Sequence, residues 1–132
     1  MSAAVLPGVA PVAPEVLAPA GDEACLVAAI EAGADAVYLG LGGFNARARA
    51  TNFDPEALTR SMARLHRHGV KGYVTLNTLV FDAERASFEA ALRACAVAGA
   101  DAIIVQDLGM ARLARQMVPT LAVHASTQMT CT

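Results

Sequence analysis

Two copies of one phrase constrain this chain more than anything else in it: Ala32-Gly33-Ala34-Asp35-Ala36-Val37-Tyr38-Leu39 and Ala98-Gly99-Ala100-Asp101-Ala102-Ile103-Ile104-Val105. Each follows a helix-like stretch and precedes a loop rich in polar groups. Glycine takes the left-handed backbone conformation that closes a helix, which a side chain resists, so Gly33 and Gly99 read as helix terminators. The apolar run after each reads as a strand buried on both faces. A helix stopped by glycine and followed at once by such a strand is the αβ joint of a parallel sheet. A weaker third copy, Gly69-Val70-Lys71-Gly72-Tyr73-Val74-Thr75-Leu76, lies between them. The three glycines are 36 and then 30 residues apart (69 − 33 and 99 − 69), about the length of one βα unit.

The spacing predicts five strands, over 15–19, 36–41, 72–77, 102–106 and 121–125, with one helix between each pair. Asp22 is a suitable N-cap for the first helix, which runs through Leu26, Ala29 and Ile30 to Gly33. Asp54 caps the second, with Pro55 at its first position and Leu58, Met62 and Leu65 as its apolar stripe. The third starts at Asp82, turns Phe88, Ala91, Leu92 and Cys95 inward, and stops at Gly99. The fourth covers 109–117 and ends before Pro119. Strict β-α alternation means a parallel sheet with right-handed crossovers. Two architectures satisfy it: a five-stranded doubly wound parallel sheet, or the first five βα units of a TIM-like (β/α)8 barrel, whose full size is about 250 residues. Length favours the first. The second is favoured because no helix follows the fifth strand before Thr132.

Composition narrows the function classes. The chain has 132 residues, 55% hydrophobic and 17% charged with no Trp, so its core must be aliphatic and rich in Ala. A net charge of −2 argues against wholesale nucleic-acid binding but does not speak to a local site. Six of the ten basic residues fall between Arg47 and Lys71: Arg47, Arg49, Arg60, Arg64, Arg67 and Lys71. The helical arginines among them read as a solvated helix face. Cys25, Cys95 and Cys131 are far apart and form no C-x-x-C pair, so neither a disulfide framework nor a zinc site is indicated. Cys25 and Cys95 read as buried free thiols, which fits a reducing, cytoplasmic location. Residues 1–14 read as a flexible leader, because their three prolines and missing basic start do not suit a signal peptide. No apolar run approaches membrane-spanning length.

In either architecture ligands bind at the C-terminal ends of the strands, and there the polar residues gather. Strand two leads into Gly40-Leu41-Gly42-Gly43-Phe44-Asn45-Ala46-Arg47-Ala48-Arg49. Strand three ends in Asn77 and Thr78, strand four in Gln106 and Asp107, and strand five in His124-Ala125-Ser126-Thr127-Gln128. Arg47 and Arg49 suit a carboxylate or phosphate ligand, or structural ion pairs. Asp107 reads as a base, a ligand or the N-cap of the next helix, with capping sufficient by itself. His124 and Ser126 alternate along a strand and can share a face. A nucleophilic Ser–His pair would still need an orienting group and an oxyanion site. His66 and His68, two apart on a helix, make a poor metal pair.

Glu15-Val16-Leu17-Ala18-Pro19-Ala20-Gly21, the phrases at Gly33 and Gly99, Tyr73-Val74-Thr75-Leu76-Asn77 and the stretch from His124 to Gln128 resemble, in order, the start of peptidase family U32, the collagenase-like proteases. The likeness spans residues 15–132. The stretches Phe44–Arg49, Val105–Asp107 and His124–Gln128 are most similar to the branch that hydroxylates a cytidine of large-subunit ribosomal RNA. The resemblance implies a partial TIM-like barrel, the opening five strands of a larger enzyme that would be inactive alone. It implies peptide hydrolysis first. It implies second a prephenate-dependent RNA hydroxylase, in which Arg47, Arg49 and Asn77 would hold an anionic cosubstrate or RNA backbone. Asn45, Asp107, His124, Ser126 and Gln128 complete the candidate rim. A third reading is a non-catalytic half-barrel that self-associates through its uncovered edges. Partners are then a peptide or RNA substrate, with no membrane. Some family members carry an iron–sulfur cluster on downstream cysteines that Cys25, Cys95 and Cys131 do not match, so no cofactor is expected on this chain itself.

Overall fold

Helix ends and strand starts are set by the same few residues. The computed structural model describes residues 13–42 and 53–129. In it Gly33, Gly69 and Gly99 are the residues with positive φ, at 85°, 70° and 81°. At all three joints the N–H of the next residue donates to a carbonyl five positions back: Ala34 to Ala29, Val70 to Leu65 and Ala100 to Cys95. That is a Schellman-type closure, and it turns the chain sharply from helix into strand.

The aspartate of the repeated phrase then ties its strand to the preceding one. Asp35 Oδ2 accepts from Val16 N at 2.8 Å, while Asp35 N donates to Val16 O at 2.9 Å. Asp101 does the same with Gly72: its Oδ2 accepts from Gly72 N at 2.8 Å and its N donates to Gly72 O at 2.9 Å. Asp101 Oδ2 also lies 2.8 Å from His66 Nε2. In the weaker middle copy Lys71 stands where aspartate would, and its ammonium lies 3.7 Å from Glu15 Oε2. Each clamp sits one residue before the ladder, so it fixes the register that follows.

The elements are β1 (Leu17–Pro19), α1 (Glu23–Glu31), β2 (Ala36–Gly40), α2 (Pro55–Arg67), β3 (Lys71–Leu76), a 3-10 turn (Asp82–Glu84), α3 (Arg85–Ala98), β4 (Ala102–Val105), α4 (Leu108–Met117) and β5 (Ala122–Ala125). The expected N-caps are in place. Asp22 Oδ1 accepts from Cys25 N at 2.7 Å and Asp54 Oδ1 from Ala57 N at 2.7 Å, with Pro55 opening α2. The backbone hydrogen bonds to Cys25 hold the Asp22 carboxyl below its ordinary range. The third helix departs from expectation: Asp82 begins only the 3-10 turn, where Glu84 Oε1 accepts from Phe81 N, and the α-helix proper starts at Arg85.

All five strands are parallel, in the order β1-β2-β3-β4-β5. A doubly wound sheet reverses direction part-way, which places helices on both faces. Here each strand is added on the same side of the last, and right-handed crossovers leave every helix on one face. The main core agrees: Leu26, Leu58, Met62, Leu65, Phe88, Leu92 and Cys95 from the helices pack with Val37, Leu39, Val74, Leu76, Ile103 and Val105. A second, small cluster of Ala36, Tyr73 and Ala102, with Tyr38 and Ile104 against it, contains strand residues alone. The architecture is therefore a partial (β/α) barrel, a curved wall with its helices outside.

Helix α2 packs closely on β3. A Cβ on Gly72 would lie 2.3 Å from Met62 Sδ, so the missing side chain lets the helix settle onto the strand. Cys95 is buried as expected, and burial pushes its thiol up to about 12. Cys25 is exposed, because α1 turns Leu26 and Ala29 inward instead. Residues 1–12 of the expected leader and Cys131 lie outside the described residues. Among the described residues no helix is long and apolar enough to cross a membrane.

Replacing Asp101 tests the clamp. Asp101→Ala leaves the Gly72 N–H without its side-chain acceptor and is expected to cost about 1–3 kcal/mol in urea unfolding. Asp101→Asn keeps an acceptor oxygen and should lose less. Equal stability of both variants and the parent would remove the clamp from the account.

Candidate functional site

The inner face of the wall is read directly from the register. Tyr38, Tyr73, Ala102 and Ala122 form one cross-strand row, and Gly40, Thr75, Ile104 and His124 the next. Neighbouring strands lie about 4.8 Å apart, so Tyr73 and His124, two strands apart, meet only if the residue between them is small. Ala102 supplies that gap. The Tyr73 and His124 rings meet edge to face, 5.0 Å between centroids and 76° between planes. Tyr73 donates its hydroxyl hydrogen bond to Glu15 Oε1. Burial, reinforced by the Glu15 carboxylate, pushes the Tyr73 phenol up to about 12. Thr75 is buried and donates from Oγ1 to Leu39 O at 3.2 Å.

The rim lies one or two residues further along each strand. Asn77 and Thr78 follow β3, Gln106 and Asp107 follow β4, and Ser126 to Gln128 follow β5. Asp107 does what capping requires and more. Its Oδ1 accepts from Met110 N at 3.2 Å to cap α4, and its Oδ2 accepts from Val80 N at 3.1 Å in the neighbouring β3–α3 loop. Both oxygens of the expected base or ligand are thus engaged by backbone. Ser126 is buried; its N donates to Val105 O at 2.8 Å, and its Oγ accepts from Gln128 N at 3.3 Å. His124 is exposed on the inner wall. No hydrogen bond joins Ser126 to His124 among the described residues, so the structure does not assemble a nucleophile–base pair from them. Asn45, Arg47 and Arg49 lie outside the described residues.

Sequence reading alone missed Glu15, Tyr73 and Thr75 as inner-wall residues. The signal was present: Lys71, Tyr73 and Thr75 alternate with Gly72, Val74 and Leu76, polar against apolar at period two. Among the described residues no group of three or more His, Cys, Asp or Glu could hold a metal ion. Cys25 and Cys95 stand on different helices, one exposed and one packed in the core, and do not fit an iron–sulfur cluster.

In complete barrels of this architecture ligands bind at the C-terminal ends of the strands, where this chain gathers polar residues. Known structures agree on the fold. A monomeric form of phosphoribosylanthranilate isomerase from Thermotoga maritima superposes with a TM-score of 0.60 at 16% identity, over 85% of this chain and 52% of that one. The model of peptidase family U32 matches residues 21–132, and the chain belongs to that family. It is 42% identical over 118 residues to the uncharacterized protease MJ0090 of Methanocaldococcus jannaschii and 40% identical over 116 residues to a collagenase of Porphyromonas gingivalis. It is 41% identical over 114 residues to the 23S rRNA 5-hydroxycytidine C2501 synthase of Escherichia coli. These alignments take in 89%, 87% and 86% of this chain but 28%, 28% and 17% of the relatives, so the chain spans about a quarter of their length or less.

Two substitutions separate scaffold from site. Asp107→Ala removes an N-cap worth about 0.5–2 kcal/mol, and hydrogen exchange should quicken at both the Met110 and Val80 amides. Protection unchanged at Val80 would break the inferred link between the loops. For Tyr73, a folded-state pKa above the ordinary 10.0 means the native state keeps a proton that the unfolded chain releases. Its contribution is complete below pH 10 and falls away as pH rises towards 12. Urea midpoints of Tyr73→Phe should therefore decline less steeply over that window than those of the parent.

Proposed function

We propose that this chain forms one side of the strand-end site of a U32 enzyme that hydroxylates RNA. The observation that carries this reading is the occupancy of the two rim groups a hydrolase would employ. Asp107 accepts from two backbone N–H groups, and Ser126 Oγ accepts from Gln128 N with no hydrogen bond to His124 among the described residues. The rim also carries the amides of Asn77, Gln106 and Gln128 and the imidazole of His124, residue types suited to reading base edges and ribose hydroxyls. The 41% identity to the Escherichia coli 23S rRNA synthase and the 36% identity to tRNA hydroxylation protein P1 of Bacillus subtilis support the same direction. In this reading the Arg47 and Arg49 guanidinium groups take an anionic cosubstrate or the RNA backbone, and the enzyme acts in the cytoplasm.

Peptide hydrolysis is the second reading, supported by the identities to the protease MJ0090 and the collagenase. In both readings the five-stranded wall alone is inactive. It supplies one side of the site, and its uncovered inner face and edges favour self-association.

A chimera decides between them. Residues 15–129 of this chain replace the matching segment of the Escherichia coli synthase, in cells lacking that enzyme. Mass spectrometry of the 23S rRNA should recover the added oxygen at C2501, and the Asn77→Ala chimera should lose most of it. A folded chimera that leaves the RNA unmodified yet cleaves gelatin would replace the hydroxylase reading with the peptidase one.

A further inference from the structure

The outer wall carries a charge feature to which the fold assigns no structural work. Arg60, Arg64 and Arg67 stand at i, i+4 and i+7 on α2, within about 60° of one another around the axis and along about 10 Å of it. All three are exposed, and they line a groove of about 340 Å³ between α1 and α2, with buried Leu26 and Ser61 and exposed Ala63 also lining it. Two carboxylates of α1 face the same region, Glu23 in the groove and Glu31 beside Arg64 and His68 where it continues.

A solvated helix face ordinarily balances such arginines with carboxylates one turn away. Here Glu23, Glu31 and Glu56 stand near the three arginines, yet none closes an ion pair with them within 4.0 Å. All twelve carboxylate side chains of the chain lie among the described residues. The ion pairs within 4.0 Å there are His66–Asp101, Lys71–Glu15 and Arg85–Glu89. Arg60, Arg64 and Arg67 take part in none, although Glu56 precedes Arg60 by one turn and Glu23 lines the same groove. Three permanently charged forks stand in a row with no ion pair within 4.0 Å, an arrangement a chain of phosphodiesters can engage bidentately, one phosphate to each fork.

We propose that the α1–α2 groove is a backbone track for RNA, with Arg60, Arg64 and Arg67 each holding one phosphate. The inference rests on the RNA reading above and extends it to a second surface. Helix α2 starts at the rim and descends the outside of the wall, so an RNA bound along it stays beside the barrel while a neighbouring nucleotide reaches the strand ends. The contacts are to phosphate, so they position the RNA without reading its sequence.

Fluorescence anisotropy of a labelled single-stranded RNA 20-mer, titrated with the 132-residue chain over a salt series, tests the track. Each phosphate contact adds about 0.7 to the salt slope for a single strand. The triple variant Arg60→Gln/Arg64→Gln/Arg67→Gln should lower the slope by about 2 and weaken binding about tenfold at moderate salt. The triple Arg→Lys variant keeps the charges and should keep most of the slope, which separates charge from folding. Arg85→Gln/Arg93→Gln/Arg112→Gln removes the same net charge elsewhere and should change little. An unaltered slope in the first variant, or no RNA binding by the parent, overturns the proposal. Displacement of RNA by polyglutamate, charge for charge, also overturns it and assigns the groove to an acidic polypeptide. Binding is read here without chemistry. A chimera that binds RNA through the groove but leaves it unmodified refutes the catalytic reading alone, and RNA oxygenation indifferent to these arginines refutes the track alone.

Discussion

The paired hydrogen bonds between Asp35 and Val16, and between Asp101 and Gly72, are the constraint from which the rest follows. Parallel ladders have no hairpin to set their register, and a slip of one residue would send every side chain to the other face. A carboxylate that accepts the N–H of a residue whose carbonyl takes the aspartate's own N–H can close in one alignment only. The adjacent left-handed glycine delivers the chain to that point at a fixed angle. A local turn and a clamp across the sheet thus settle the register together, and they recur because the same joint recurs.

Once register is fixed, the two faces of the sheet divide their tasks. Large aliphatic side chains face the helices, where Leu58, Met62 and Leu65 are fully buried and each contributes on the order of 1.5–3 kcal/mol. The inner face carries small residues at Ala36, Ala102 and Ala122 and bulky polar ones at Tyr38, Tyr73 and His124. The alanines are as informative as the rings. Without the short side chain at position 102, His124 could not reach across β4 to Tyr73, and without Glu15 the buried Tyr73 hydroxyl would lose its acceptor. The inner wall is built as one linked unit from the foot of β1 to the upper end of β5.

Much of this was legible in the residues themselves, and the reason is locality. Gly33, Gly69 and Gly99 end helices because of their own backbone freedom. Asp22, Asp54 and Asp107 cap helices through N–H groups three residues ahead, and the stripes of α2 and α3 follow from helical period. What escaped reading depends on distant partners. The repeated aspartate is visible as a repeat, yet its partner sits on the previous strand, 19 or 29 residues away. Tyr73 looks like an ordinary strand aromatic until register places Glu15 and His124 beside it. Ser126 and His124 invite pairing by alternation, but the turn after β5 takes the hydroxyl for Gln128. Cys25 was misplaced because an apolar stretch without a strong stripe does not reveal which side of α1 faces the core.

Charge, too, depends on where each residue stands in the fold. A net of −2 suggests a surface with little pull on polyanions, yet net charge counts residues without regard to where their fields point. Eight of the twelve carboxylates are engaged internally. Asp22, Asp54 and Asp107 sit at the positive ends of helices, Asp35 and Asp101 clamp strands, Glu15 holds Tyr73, Glu84 closes the turn at Phe81 and Glu89 pairs with Arg85. Helix dipoles and backbone N–H groups partly cancel the outward field of such anions. The arginines of α2 meet no such cancellation within contact distance. Many acidic residues build the scaffold while the arginines of α2 face water, so net charge alone does not describe this flank, where Glu23, Glu31 and Glu56 stand nearby without closing an ion pair.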